Sequence, residues 1–227
     1  MARAQTSLPA ATRKALLDWY RPRARAYPWR RGRPNAYRTL VSELMLQQTQ
    51  APRVVPIFEA FVGLFPTVGA LAGASRADVL RAWAGLGYNR RAVSLHRAAE
   101  TIVTQHGGRV PTDAVDLQRL PGVGPYTAAA VASIAGGAPV AAIDVNARRI
   151  VARVAYGRDP AGVSTGDIDA TAAMWVDRSD PGAWNQALMD LGREHCRVVP
   201  RCDGCPLASA CRFVRTGRPS GPGTRRR

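Results

Sequence analysis

Hydrophobic residues along this chain recur at helical spacing, and no alternating stretch runs long enough to predict a strand. Ser75-Arg76-Ala77-Asp78 opens like a capping box and leads into Leu80, Trp83 and Ala84 on one helical face. Tyr88 to His106 is a long amphipathic stretch that Gly107-Gly108 stops. Tyr37 to Gln48 reads as a helix with Leu40 and Leu46 on either side of Glu43. Thr112 is placed to cap a helix reaching Leu120, and a second helix starts near Tyr126 and runs to Gly136-Gly137. Asp144 is the natural cap of a helix over 145–156, Ser164 or Thr165 opens another to about Val176, and Pro181 to Cys196 forms the last. The fold class this predicts is all-α. From Thr216 onward only Gly, Pro, Ser, Thr and Arg occur, which predicts a disordered basic tail over 216–227. No internal repeat is visible.

Composition narrows the picture. With 227 residues the chain can bury one good core, or two small lobes, but not several independent domains. A 46% hydrophobic content is that of a globular protein. The net charge of +16 favours polyanions, whether DNA, RNA or an anionic membrane surface, unless it is simply the solvated face of an arginine-biased chain in which Lys14 is the one lysine. No signal peptide is visible at the N-terminus. The least polar stretch, Thr127 to Ile143, is too short and too broken by Gly136, Gly137 and Pro139 to span a bilayer. A cytoplasmic, nucleoid-associated monomer is expected, where disulfides are rare.

Its four cysteines therefore need another use. Cys196, Cys202, Cys205 and Cys211 follow a C-x5-C-x2-C-x5-C spacing. Four thiolates so close in sequence can surround a tetrahedral zinc or a [4Fe–4S] cluster, and spacing alone does not choose between them. Arg193, Arg197, Arg201 and Arg212 would give such a loop a cationic face for phosphate. Leu120-Pro121-Gly122-Val123-Gly124 between two helices is a helix-hairpin-helix pattern. Its glycines let backbone N–H groups approach a phosphate, although an ordinary tight turn would have the same composition. Two carboxylates flank this hairpin. Glu43 among leucines would hold its proton and suit a general acid, or else be a rim charge. Asp144 at a helix start would stay ionised, or serve only as a cap. One protonated and one charged carboxylate is the division of labour that cleavage of a glycosidic bond requires.

These segments together resemble the helix-hairpin-helix DNA glycosylase superfamily, and within it the MutY adenine glycosylases. The resemblance rests on Tyr27-Pro28-Trp29-Arg30, Ser42 to Thr49, Gly85-Leu86-Gly87-Tyr88, Leu120 to Thr127, Ile143-Asp144-Val145-Asn146, Trp184 to Gly192 and the four cysteines. It implies a six-helix lobe over 33–141 carrying the hairpin, and a second lobe from 1–32 and 142–215 with a [4Fe–4S] cluster, the DNA lying between. It implies removal of adenine mispaired with guanine or 8-oxoguanine in double-stranded DNA by base flipping and hydrolysis, in base excision repair. Glu43 would protonate the departing adenine at N7 and then handle water, and Asp144 would stabilise the oxocarbenium-like sugar. Tyr126 and Asn146 would support these carboxylates, and Arg30 and Leu46 would line the pocket. Gln48 and Tyr88 would enter the helix stack at the mispair. Gly122, Val123 and Gly124 would grip phosphate. Relatives that also cut the strand place a lysine where this chain has Tyr126, so no intrinsic lyase activity is expected.

The chain departs from the MutY pattern at several points. Its first cysteine gap is x5 rather than x6, Asn89 follows Tyr88 where relatives often have tyrosine, and Val145 replaces a glycine after Asp144. It also ends soon after the cysteines, without the C-terminal domain that reads 8-oxoguanine in typical relatives. The base opposite the target is thus left open. An alternative enzyme would remove thymine or uracil opposite guanine, though Gln47-Gln48-Thr49 favours adenine. A non-catalytic mispair-binding protein would have no need of both Glu43 and Asp144.

Overall fold

The computed structural model describes residues 7–216, which contain helices and no strand. Along the chain they are α1 (Ala10–Tyr20), α2 (Ala36–Leu46), α3 (Ala51–Leu64), α4 (Val68–Ala72), α5 (Arg76–Ala82), α6 (Arg90–Gln105), α7 (Ala114–Gln118), α8 (Pro125–Gly136), α9 (Val145–Val151), α10 (Thr165–Trp175), α11 (Pro181–Glu194) and the single turn α12 (Arg212–Arg215). The basic tail predicted from residue 216 lies, apart from Thr216, outside the described residues.

Local chemistry sets most of the boundaries. Ser75 and Ser164 accept the N–H groups of Asp78 and Asp167, each at 3.1 Å, and start α5 and α10 as predicted. The start of α7 differs from expectation. Asp113, not Thr112, caps it, taking Val115 N–H at 2.8 Å and Asp116 N–H at 3.2 Å. Thr112 lies against Gly136, where an added Cβ would stand 2.6 Å from the Thr112 Cβ. The stretch predicted as one helix over 145–156 changes pitch after Val151 and continues as a π-helical turn, Ala152–Tyr156, closed by Gly157 at φ 68°. Helices α1, α3 and α4 escape the periodicity reading. In α3, Pro52 sits in the first turn and Pro56 forfeits a ladder bond. The fully buried Val54, Phe58 and Phe61 on one face offset that loss.

The chain divides into two compact units. One comprises Arg25–Ala142 with Arg178–Asn185, and buries Leu40, Leu44, Phe58, Phe61, Trp83 and Ile102 in its core. The other is assembled from Met1–Ala24, Ile143–Asp177 and Gln186–Arg227, with Leu16, Ile150, Trp175 and Leu191 fully or almost fully buried. Residues 25–32 and 178–185 thus go with the hairpin-bearing unit, where the family resemblance implied the terminal segments. Hydrogen bonding explains the second stretch. The buried Asn185 donates to Ser133 Oγ and to the Val140 carbonyl, each at 2.9 Å, and accepts the Ala142 N–H at 3.0 Å. No helix among the described residues is long and apolar enough to cross a membrane.

Candidate active site and metal centre

The hairpin of the first unit is α7, the turn 119–124, and α8. Leu117, Leu120 and Val123 anchor the turn in the core, while Gly122 and Gly124 are exposed. Gly122 is required twice over. Its φ is 80°, and a Cβ there would lie 2.6 Å from Ser94 Cβ. Tyr126 stands half-buried in the first turn of α8, directly after the hairpin, with Pro125 at a position where a missing N–H costs nothing. Helix α2 packs along α8, and Gln47 Nε2 reaches Thr127 Oγ1 at 3.4 Å. Glu43 is carried on α2 and is buried, only 7% exposed, with Leu40 and Leu44 beside it. Leu46 is half-buried at the end of the same helix. Arg30 belongs to this unit too, its guanidinium 5.5 Å from the Tyr27 ring, which stacks on Trp29.

Gln48 and Tyr88 lie at the tips of two turns in the same unit, both exposed. Sequence reasoning missed the residue that joins those turns, Arg91, which is buried and hydrogen-bonds to both. The available signal was its register, since Arg91 falls on the same face of α6 as the buried Leu95, Ala98 and Ile102. Asn89 is exposed at the start of α6 and makes no side-chain cap.

Asp144 and Asn146 lie in the second unit. Asp144 caps α9, its Oδ1 accepting the Ala147 N–H at 2.7 Å and its Oδ2 accepting Asn146 Nδ2 at 2.8 Å. Asn146 Oδ1 in turn accepts Arg149 Nη2 at 2.7 Å, and Arg149 donates onward to the carbonyls of Gly192, at 3.1 Å, and Cys196, at 2.6 Å. Every rotatable group on Asp144 is therefore fixed by a partner that is itself fixed. Gly192 makes the approach possible, because a Cβ there would stand 2.4 Å from Asn146 Cβ. Val145, the departure after the aspartate, points outward at 73% exposure and leaves this chain of bonds alone.

The four cysteines line one common cavity. Burial pushes the Cys205 thiol up to about 11 and raises Cys196 and Cys211 as well, each also raised by its neighbouring thiols. Among the described residues no three His, Cys, Asp or Glu side chains are grouped to hold a single metal ion. The π-helical turn supplies the support for the loop. Buried Arg153 donates to the carbonyls of Arg197, at 2.5 Å, and Val198, at 2.9 Å, and its Nη1 lies 3.8 Å from Cys196 Sγ, while the ring of Phe213 sits beneath it. The shortened first gap is closed by His195, whose carbonyl accepts the N–H groups of Arg197 and Arg201 and whose Nδ1 meets the Arg201 carbonyl at 3.0 Å. An all-thiol donor set around one cavity, with cationic N–H donors at its edge, fits an iron–sulfur cluster.

Comparison with known proteins gives this geometry a family. The model described as HhH-GPD superfamily base excision DNA repair protein matches residues 41–162. An adenine DNA glycosylase of Mycolicibacterium smegmatis is 45% identical over 212 residues, which is 93% of this chain and 72% of that protein. The human adenine DNA glycosylase is 41% identical over 213 residues, covering 89% of this chain and 39% of the human protein. Among solved structures, a thermostable thymine-DNA glycosylase superposes with TM-score 0.82 at 27% identity, covering 91% of this chain and 98% of the other. An endonuclease III trapped as a covalent DNA intermediate has the same fold, with TM-score 0.73 at 21% identity over 92% of this chain and 99% of the other. The chain belongs to the HhH-GPD superfamily of base excision DNA repair proteins, in the family of the adenine DNA glycosylases.

Proposed function

We propose that this protein is a monofunctional adenine DNA glycosylase that extrudes adenine from a mispair and hydrolyses its N-glycosidic bond. The observation that carries the reading is a buried carboxylate, Glu43, on a helix packed against the hairpin helix, in a chain 45% identical to an adenine DNA glycosylase. Glu43 delivers a proton to adenine N7, the bond from the sugar to N9 breaks with its electron pair leaving on the base, and the Asp144 carboxylate faces the oxocarbenium-like sugar. A water then adds to the sugar carbon and loses its proton to Glu43, leaving an abasic site. Tyr126 and Asn146 orient the two carboxylates, Arg30 and Leu46 line the base pocket, and Gln48 and Tyr88 hold the gap in the stack. Gly122, Val123 and Gly124 present N–H groups to a phosphate. The strand stays intact because the Schiff-base position holds Tyr126 and the only lysine, Lys14, is engaged with Asp18 at 2.6 Å on α1.

Cys196, Cys202, Cys205 and Cys211 would hold a [4Fe–4S] cluster, which would act as a staple for the arginine-rich loop rather than as a participant in base removal. The protein works as a monomer on double-stranded DNA containing a mispair. A thymine or uracil substrate opposite guanine is the second reading, favoured by the likeness to the thymine-DNA glycosylase structure. A single-turnover panel separates them. Duplexes carrying A opposite G, A opposite 8-oxoguanine, and T or U opposite G are incubated with excess protein and analysed with and without alkali. Adenine release with strand scission only after alkali is expected. Release of thymine or uracil alone would assign the protein to the second reading, and scission without alkali would overturn the monofunctional one.

A further inference from the structure

Gln48, at φ 57°, and Tyr88, at φ 48°, are the two non-glycine residues with left-handed backbone among the described residues. Such a conformation is uncommon outside glycine and persists where surrounding contacts over-determine it. One side chain supplies those contacts at both places. Arg91 Nη1 donates to the carbonyls of Leu44 and Met45, each at 3.0 Å, and to that of Gln47. These are the open carbonyls at the end of α2 and the residue immediately before Gln48. Arg91 Nη2 donates to Thr49 Oγ1 at 3.1 Å and to the carbonyls of Leu86 and Gly87 at 3.3 and 3.2 Å, the latter immediately before Tyr88. The guanidinium also stands 5.4 Å from the Tyr88 ring and 5.6 Å from that of Trp83. Arg91 is 6% exposed, and among the described residues no carboxylate pairs with it.

A buried cation whose two Nη groups donate to carbonyl and hydroxyl oxygens of two separate turns, while its buried Nε has no hydrogen-bond partner, is costly to bury merely for stability, since an apolar residue would fill the same space without desolvation. Its geometry has another use. A planar guanidinium spreads its donors over two nitrogens and so spans both turns; a lysine ammonium gathers its three donors at one point and cannot reproduce contacts divided between Nη1 and Nη2. We propose that Arg91 is a positioning residue that locks the Gln48 and Tyr88 turns into one unit, so that both side chains meet the duplex together and discrimination of mispaired from fully paired DNA depends on it. This rests on the reading of Gln48 and Tyr88 as the residues that enter the helix stack.

The test measures affinity for a duplex with one A·G mispair and for the same duplex fully paired, in the wild-type protein and in R91M, R91K, Q48A, Y88A and the double variant Y88A/R91M. Residues sharing a network couple strongly, so R91M should lower the mispaired-to-paired ratio about tenfold while leaving affinity for the paired duplex within about threefold. R91K should fall in the same direction, and Y88A/R91M should lose less than the two single losses combined. An unchanged ratio in R91M, or an equal loss on both duplexes as a purely structural staple would give, overturns the proposal. If Q48A and Y88A leave the ratio unchanged, the stack-entry reading fails; if they lower it and R91M does not, only the role of Arg91 fails. Should R91M not fold, T49V removes one acceptor of the clamp and must lower the same ratio.

Discussion

Gly122 offers a prediction whose size follows from two separable causes. Replacing it by alanine forces a side chain onto a residue at φ 80°, which costs about 1–2 kcal/mol. It also sets a Cβ 2.6 Å from Ser94 Cβ, with Leu44 Cδ2 at 3.4 Å, so α6 must give way or the turn must shift. Overpacking of that kind costs about 1–3 kcal/mol. G122A should therefore lose about 2–5 kcal/mol, and its melting midpoint should fall by about 4–20 °C at this chain length. The steric part alone can be relieved from the opposite side. S94G removes the atom in the way, at a cost of about 0.5–1 kcal/mol for a glycine within α6. In the double variant the coupling between the two sites should recover about 1–3 kcal/mol, while the backbone part remains lost. Denaturant unfolding of the four proteins in a double-mutant cycle reads this directly. A G122A protein within about 0.5 kcal/mol of wild type, or a cycle with no coupling, would refute the account of the turn.

Four further outcomes follow from the same geometry. D144N should keep its helix cap, since an amide oxygen also accepts the Ala147 N–H, yet lose base release by about 10²–10³-fold with duplex binding intact; retained turnover would remove Asp144 from the chemistry. G192A should push Asn146 off Asp144, lowering single-turnover base release more than duplex affinity, and equal losses in both would contradict that bond chain. Duplex affinity should fall steeply with added salt, by about 0.9 log units per log unit for each phosphate contacted, and a flat response would contradict a basic DNA-binding face. The purified protein should be yellow-brown with iron and acid-labile sulfide in equal amounts, and a colourless zinc protein would replace the cluster by a mononuclear site.

How far these features were legible depends on the range of the interactions behind them. The caps Ser75, Asp144 and Ser164 act on N–H groups three residues away, so their chemistry is written locally. The hairpin glycines and the cysteine spacing were legible for the same reason. Arg91, Arg149 and Arg153 were not, because each also reaches backbone carbonyls more than forty residues off along the chain. Nothing in composition separates the buried Arg91 and Arg153 and the half-buried Arg149 from the many other arginines that give the chain its charge. The π-helical turn after Val151, from which Arg153 reaches the cysteine loop, was equally hidden. Thr112 and Asp113 show a narrower failure. Both are good caps, and the local sequence does not decide between them; Asp113 takes the role.

The assembly of one unit from three stretches of chain sets a delay in its biosynthesis. Tyr20 Oη donates to Gln186 Oε1 at 2.7 Å across 166 residues, and α1 buries Leu16 and Leu17 in that same unit. At about 5–20 residues per second, a ribosome takes about 10–30 s between releasing those two partners. Through that interval the unit that buries the apolar face of α1 is incomplete, while most of the other unit has already emerged. Nascent chains stalled before α11 should therefore recruit holding chaperones through α1.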